Sequence, residues 1–256
     1  MLIKNSGTVE EITTAAEDIP VFICNFNRLT TTRATVDWFR SAGSKRIVIV
    51  DNESTYPPLL EWYATAPAEI VRLPNQGCWK SWEWVNSASD LPFMFLESDV
   101  VPSPECPKDL VAALIRIFNE NPSGGIPSCS KIGPCLRVQN APDVIRKREA
   151  WLWQFPITKD AEPGNCTDPS VPCHKACIDT AAMLCYPHQK FTNGWDNIRL
   201  DEPYSVEHIP WYETHPLRNE EEEQFYRENA KWLGSYNYWK EGDQFRNGPH
   251  GMPPRI

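Results

Sequence analysis

Along residues 20–120, short apolar runs alternate with stretches in which apolar side chains return every third or fourth position. Pro20-Val-Phe-Ile-Cys24, Arg46-Ile-Val-Ile-Val50, Ile70-Val-Arg-Leu73 and Pro92-Phe-Met-Phe-Leu96 are too short for helices and read as buried strands. Between them, Leu29, Thr32, Val36 and Phe39 keep helical spacing up to a stop at Gly43. Pro57 and Pro58 suit the first turn of a helix through Leu59, Leu60 and Tyr63. Trp79, Trp82, Trp84 and Val85 predict another helix, and Leu110, Leu114 and Ile117 a further one ending near Asn119. This βαβαβαβα order predicts an α/β fold with a mostly parallel, Rossmann-like sheet and helices on both its faces.

The second half reads as mixed. Lys131–Val138, Ala181–Cys185 and Tyr204–Ile209 are candidate strands, and Ala141–Phe155 a candidate helix. Residues 156–176 form a loop rich in Pro, Asp and Cys. Asn219 is a candidate cap for a helix whose first residues, Glu220–Glu223, lie on the positive end of the dipole. Residues 1–18 read as a polar lead-in, 19–241 as one domain and 242–256 as a tail.

Composition narrows the partners. The 256 residues carry 25 Lys+Arg against 34 Asp+Glu, a formal charge of −9. Such a chain has no global attraction for nucleic acid or an anionic membrane, so an anionic ligand needs local donors or a metal. No apolar run is long enough to span a bilayer, and the acidic first twenty residues lack a secretory h-region. The nine cysteines are an odd number and Cys24 lies in a predicted strand, which points to a reducing, cytoplasmic setting. Cys166, Cys173, His174 and Cys177 are a possible metal set, although their spacing lacks paired CxxC motifs and loop thiols are the commoner reading.

In open parallel sheets, ligands bind outside the carboxyl ends of the strands. Asn25, Asn27 and Arg28 follow the first strand, Asp51-Asn-Glu-Ser54 the second, Asn75-Gln-Gly77 the third and Glu97-Ser-Asp99 the fourth. Each end alone is explained by the turn preference of Asn, Asp and Ser. Four in succession outline a polar rim suited to a nucleoside and its phosphates. No glycine lies between Gly7 and Gly43, so neither a GxGxxG turn nor a P-loop follows the first strand. Glu97 and Asp99 supply the counter-charge indirectly, because Mg²⁺ and Mn²⁺ take carboxylate oxygens together with substrate phosphate oxygens.

These residues meet a family pattern. Phe22-Ile-Cys-Asn-Phe-Asn-Arg28, Val50-Asp-Asn-Glu-Ser-Thr-Tyr-Pro-Pro-Leu-Leu60, Asn75-Gln-Gly77 and Glu97-Ser-Asp-Val-Val-Pro102 are followed by Lys131-Ile-Gly133, Ile178-Asp-Thr180 and His208-Ile-Pro-Trp-Tyr212. In that order, over most of the chain, they resemble family 2-like glycosyltransferases of the GT-A fold, including relatives in large DNA viruses and bacteria. The resemblance implies a nucleotide-binding half over residues 19–120 and an acceptor half over 121–241. It implies Mn²⁺ or Mg²⁺ as cofactor, held by Asp99 with Glu97 and His208; a hydrogen-bonded His at a strand end is the plain alternative for His208. Asp51 would contact the base, and Glu97 stands where the family usually has Asp. Asn25, Arg28, Asn75 and Lys131 join the donor-binding candidates, and Arg33 and Arg137 are candidate diphosphate contacts for which surface salt bridging is the plain reading. Trp211 is a candidate for stacking on a sugar, whereas Trp151 and Trp153 read as core.

An inverting transfer also needs a carboxylate to take the acceptor's proton. By the resemblance this is Asp179, although Ala181 replaces a frequent second Thr; Glu149 is the alternative, and a turn-capping Asp179 the plain reading. The expected activity is transfer of a sugar from a nucleoside-diphosphate sugar, with UDP favoured, to a glycan or glycoprotein. A silent nucleotide- or glycan-binding domain and a sugar-nucleotide pyrophosphorylase are the alternatives; the latter usually has the Gly-rich first loop missing here. Expected localisation is cytoplasmic, in the host if the chain is viral.

Overall fold

A computed structural model describes residues 11–120, 131–137, 171–176, 178, 181–189, 197–212 and 214–230. The first half alternates as its hydrophobic pattern predicts. Strands β1 (Val21–Asn25), β2 (Ile47–Asp51), β3 (Glu69–Arg72) and β4 (Phe93–Glu97) are separated by helices α1 (Thr30–Ser41), α2 (Pro57–Tyr63) and α3 (Cys78–Ala88). Pro57 opens α2, and Gly43, at φ +92°, ends α1 in a conformation that side chains with a Cβ rarely adopt.

The chain continues through β5 (Val100–Pro102), α4 (Leu110–Glu120), β6 (Lys131–Gly133), β7 (Cys135–Leu136), β8 (Cys173–Ala176), β9 (Ala182–Cys185), β10 (Asn197–Leu200), β11 (Ser205–His208) and α5 (Glu220–Asn229). Among the described residues, the main sheet has eight strands in the order β3-β2-β1-β4-β9-β6-β10-β8. The first four are parallel to one another, while β9 runs antiparallel to both β4 and β6. The fold is therefore α/β with a mixed sheet.

Alternation along the strands fills both faces. Val21, Ile23, Ile47, Ile49, Met94 and Leu96 join Val36 and Phe39 of α1 and Leu114 and Ile117 of α4 in one core. Phe22, Cys24, Val48, Val50, Phe93 and Phe95 join Trp82 and Val85 of α3 in the other. A second sheet, β5-β11-β7, stands beside the first.

Three expectations need correction. The single strand over Lys131–Val138 is two: β6 lies in the main sheet and β7 in the small one, with Pro134, which lacks an N–H, between them. The loop expected at 156–176 ends in strand β8, paired antiparallel with β10. Neither β10 nor β5 is marked by a long apolar run. The polar lead-in is also partly integral: Ile12 is buried, and its backbone exchanges two hydrogen bonds with the Asn119 side chain. The helix expected at 141–155 and the tail at 242–256 lie outside the described residues.

Candidate functional site

The chain passes from β1 to β2 and β3 on one side and to β4 on the other, so the strand order reverses between β1 and β4. At such a reversal the connections diverge and leave a crevice at the carboxyl edge. Glu97, the last residue of β4, pairs in register with Cys24 of β1. Ser98 N–H donates to the Cys24 carbonyl at 2.9 Å, and Glu97 N–H to the Ala181 carbonyl at 3.0 Å. The acidic pair is thus fixed at the crevice by backbone bonds.

The strand unseen in the sequence brings the third partner. Directly after Asp99 the chain becomes β5, whose antiparallel pairing with β11 sets His208 opposite Val100. Ile209 N–H closes the contact by donating to the Asp99 carbonyl at 2.9 Å. One ligand atom each from Glu97, Asp99 and His208 then lies within 4.8 Å of the others. His208 Nε2 is 3.7 Å from Asp99 Oδ1, too long for a hydrogen bond. Asp99 Oδ1 is buried and accepts no hydrogen bond among the described residues. A buried carboxylate oxygen left without a donor is costly, and a cation would relieve that cost. These three side chains could hold a divalent metal. Trp211 packs its ring against His208, centroids 4.7 Å apart, and is itself buried in the core.

Several donor-site candidates have interior partners. The Asp51 side chain is fully buried: Oδ1 accepts from Ser54 N–H at 3.0 Å and Arg72 Nε at 3.2 Å, and Oδ2 from the Tyr63 hydroxyl at 2.9 Å. Burial and the Asp51 charge push the Tyr63 phenol upward. Asn25 Nδ2 donates to the Arg28 carbonyl and to Tyr63, which closes the turn after β1. Asn75 is half-buried and accepts from Gly77 N–H at 3.3 Å. Lys131 is buried in β6 and donates to the Ile178 carbonyl. Arg33 is exposed, 4.0 Å from Asp37, and Arg137 pairs with Glu105.

Two features carry no plain signal in the sequence. First, Arg28 is buried and donates to Glu223 Oε1 at 2.6 Å, with its guanidinium over the Tyr226 ring at 4.3 Å. The run Glu220–Glu223 reads only as acids at a helix start, and nothing local points it 195 positions back to Arg28. Second, the Cys78 thiol at the start of α3 interacts electrostatically with both Cys24 and Glu97. Cys24, burial and the Glu97 charge together push that thiol well above its ordinary value.

A cavity of about 360 Å³ opens between the ends of β2 and β3 and helix α3. Asn52, Leu73, Pro74, Gln76, Lys80 and Trp84 line it. It does not include the acidic group, but Cys24 links the two. Asn52 Nδ2 donates to Cys24 Sγ at 3.1 Å, and Cys24 pairs in register with Glu97.

Asp179, Glu149, Trp151, Trp153, Cys166 and Cys177 lie outside the described residues. Cys173 is disulfide-bonded, which withdraws its sulfur from the suggested thiolate metal set and departs from the expectation of free thiols. Cys24, Cys78, Cys106, Cys135 and Cys185 are free. No protein-family model and no curated protein sequence matches this chain. Among the described residues, no helix is long and apolar enough to cross a membrane.

Proposed function

We propose that this protein is a metal-dependent glycosyltransferase of the GT-A type, taking its sugar from a nucleoside diphosphate. The observation that carries this reading is the convergence of Glu97, Asp99 and His208 at the sheet's reversal point, with Asp99 Oδ1 buried and lacking a hydrogen-bond donor among the described residues. Two carboxylates and an imidazole favour Mn²⁺ over Mg²⁺, which prefers an all-oxygen shell. A cation held there would supply counter-charge to a diphosphate.

The chain's own groups supply the rest. The apolar walls of the nearby cavity, Leu73, Pro74 and Trp84, suit a flat base, and its volume suits a nucleoside. Asp51, enclosed by its partners, takes its part through the turn it holds, which presents Asn52 to that cavity. Asp179 is the proposed base. It takes the proton of the acceptor hydroxyl as that oxygen bonds to the anomeric carbon, while the carbon–oxygen bond to the diphosphate breaks on the opposite face and the nucleoside diphosphate departs. The acceptor is a glycan or glycoprotein, and uridine is the favoured base.

The test is a panel of nucleotide sugars assayed for hydrolysis with and without Mn²⁺. Metal-stimulated release of nucleoside diphosphate from one donor is expected, with loss of turnover but retained nucleotide binding in Asp179→Asn. No hydrolysis combined with metal-dependent nucleotide binding identifies a silent binding domain instead.

A further inference from the structure

Helix α5 is held in an unusual way. Its two buried residues are both acids, Glu222 and Glu223; Phe225 and Tyr226 are only half-buried. A protein helix normally docks through an apolar stripe. Here Phe225 and Tyr226 meet Tyr56 and Phe26 with ring centroids 5.0 and 5.8 Å apart, and the fully buried contacts are made by the carboxylates. Glu222 Oε2 accepts from Leu29 N–H at 2.9 Å, Thr30 N–H at 2.8 Å and the Thr30 hydroxyl at 3.1 Å. Those amides are the open donors at the start of α1, whose cap residue Leu29 offers no side-chain acceptor. Glu223 Oε1 accepts from Arg28.

A helix N-terminus beside an arginine is a place where phosphate oxygens bind, through aligned amides, the helix dipole and a charge-assisted donor. Both kinds of donor are already engaged by carboxylates from 190-odd residues away. The arrangement is held at a cost. Burial pushes the Glu222 carboxyl upward despite its three donors, and Glu223 Oε2 is buried with no hydrogen-bond partner among the described residues. It also starts from the same strand ends as the acidic group: Arg28 follows four residues after Cys24, which pairs in register with Glu97, and the Thr35 hydroxyl of α1 donates to the carbonyl of Val100, next to Asp99, at 3.1 Å.

We propose that α5 is an internal competitor for the donor's phosphates: Glu222 and Glu223 occupy the amides of α1 and the Arg28 guanidinium, and a diphosphate bound beside Glu97 and Asp99 takes these donors in exchange, releasing the helix. This rests on the donor-site reading above. The closed form is the resting state, and diphosphate binding is weakened by the need to displace two carboxylates.

Calorimetry on the full chain tests it, first with Mn²⁺ alone and then with UDP at saturating Mn²⁺, on the wild type and on Glu223→Gln. The glutamine keeps the size of the side chain and removes the competing charge. Mn²⁺ uptake with UDP bound at least tenfold more tightly by Glu223→Gln is the expected result. Mn²⁺ uptake with equal or weaker UDP binding by the variant overturns the competitor and leaves the donor site standing. Absence of Mn²⁺ uptake by the wild type overturns both. Amide exchange of the wild type is a second measurement, independent of how the variant folds. UDP with Mn²⁺ is expected to speed exchange at residues 221–230 at least tenfold, and unchanged or slowed exchange overturns the proposal.

Discussion

Asp99 and Asp51 are both carboxylates at the ends of strands, yet their surroundings differ in kind. Asp51 accepts three hydrogen bonds; Asp99 has an oxygen with none among the described residues and a second acid beside it. The first pattern stabilises a fold, whereas the second stores repulsion that a ligand relieves. Asp51→Ala is expected to lower stability by about 2–3 kcal/mol, read from urea unfolding, because Ser54 N–H and Tyr63 lose a charged acceptor. Asp99→Asn is expected to behave oppositely. Thermal unfolding should shift by nothing or upward, by about 2–4 °C for each kcal/mol of relieved repulsion. Mn²⁺ affinity, read by calorimetry, should fall by about 100-fold or more. A marked loss of stability in Asp99→Asn would make that residue structural.

At the scale of elements, the acidic group depends on two short strands. Only because β5 starts one residue after Asp99 and pairs antiparallel with β11 does His208 arrive beside it. The β6–β9 contact that adjoins this half has no slack: a Cβ at Gly133 would stand 2.7 Å from the Ala182 carbonyl. Gly133→Ala is expected to cost about 1–3 kcal/mol through displaced backbone, seen as a lower urea midpoint. In α5, Asn219 Oδ1 accepts from the amides of Glu221 and Glu222 at 3.1 and 3.2 Å. Asn219→Ala should weaken that helix by about 1 kcal/mol, measured as faster amide exchange over 221–230. The cap was visible as an Asn before four acids; the target of those acids was not, since it is set by contacts across the whole chain.

For the molecule as a whole, buried protonated groups set the alkaline limit. Burial pushes the thiols of Cys106, Cys135 and Cys185 from an ordinary 9.0 to about 12. Folding favours the neutral form of each, so the unfolded chain gives up its proton first. Their contribution is complete below pH 9 and declines as pH rises toward 12, by about 1.4 kcal/mol per pH unit for each group inside its window. Urea midpoints at pH 8, 10 and 11 should fall in that order, with the steeper drop above pH 10; a flat profile would contradict this burial.

The first four strands, their helices and the acidic rim were legible because short-range periodicity and turn chemistry act within a dozen residues, and a parallel sheet buried on both faces writes itself as continuous apolar runs. Glu97 and Asp99 share one turn, so their proximity was also written locally. The union of His208 with them was expected only through the family resemblance, and the withdrawal of Asp51 and Asn25 into turns and the capture of Arg28 by Glu223 were not legible. Each depends on which distant segment a three- or four-residue strand or a polar helix meets. That choice is made by pairing register and burial across a hundred or more positions, where no local spacing constrains it.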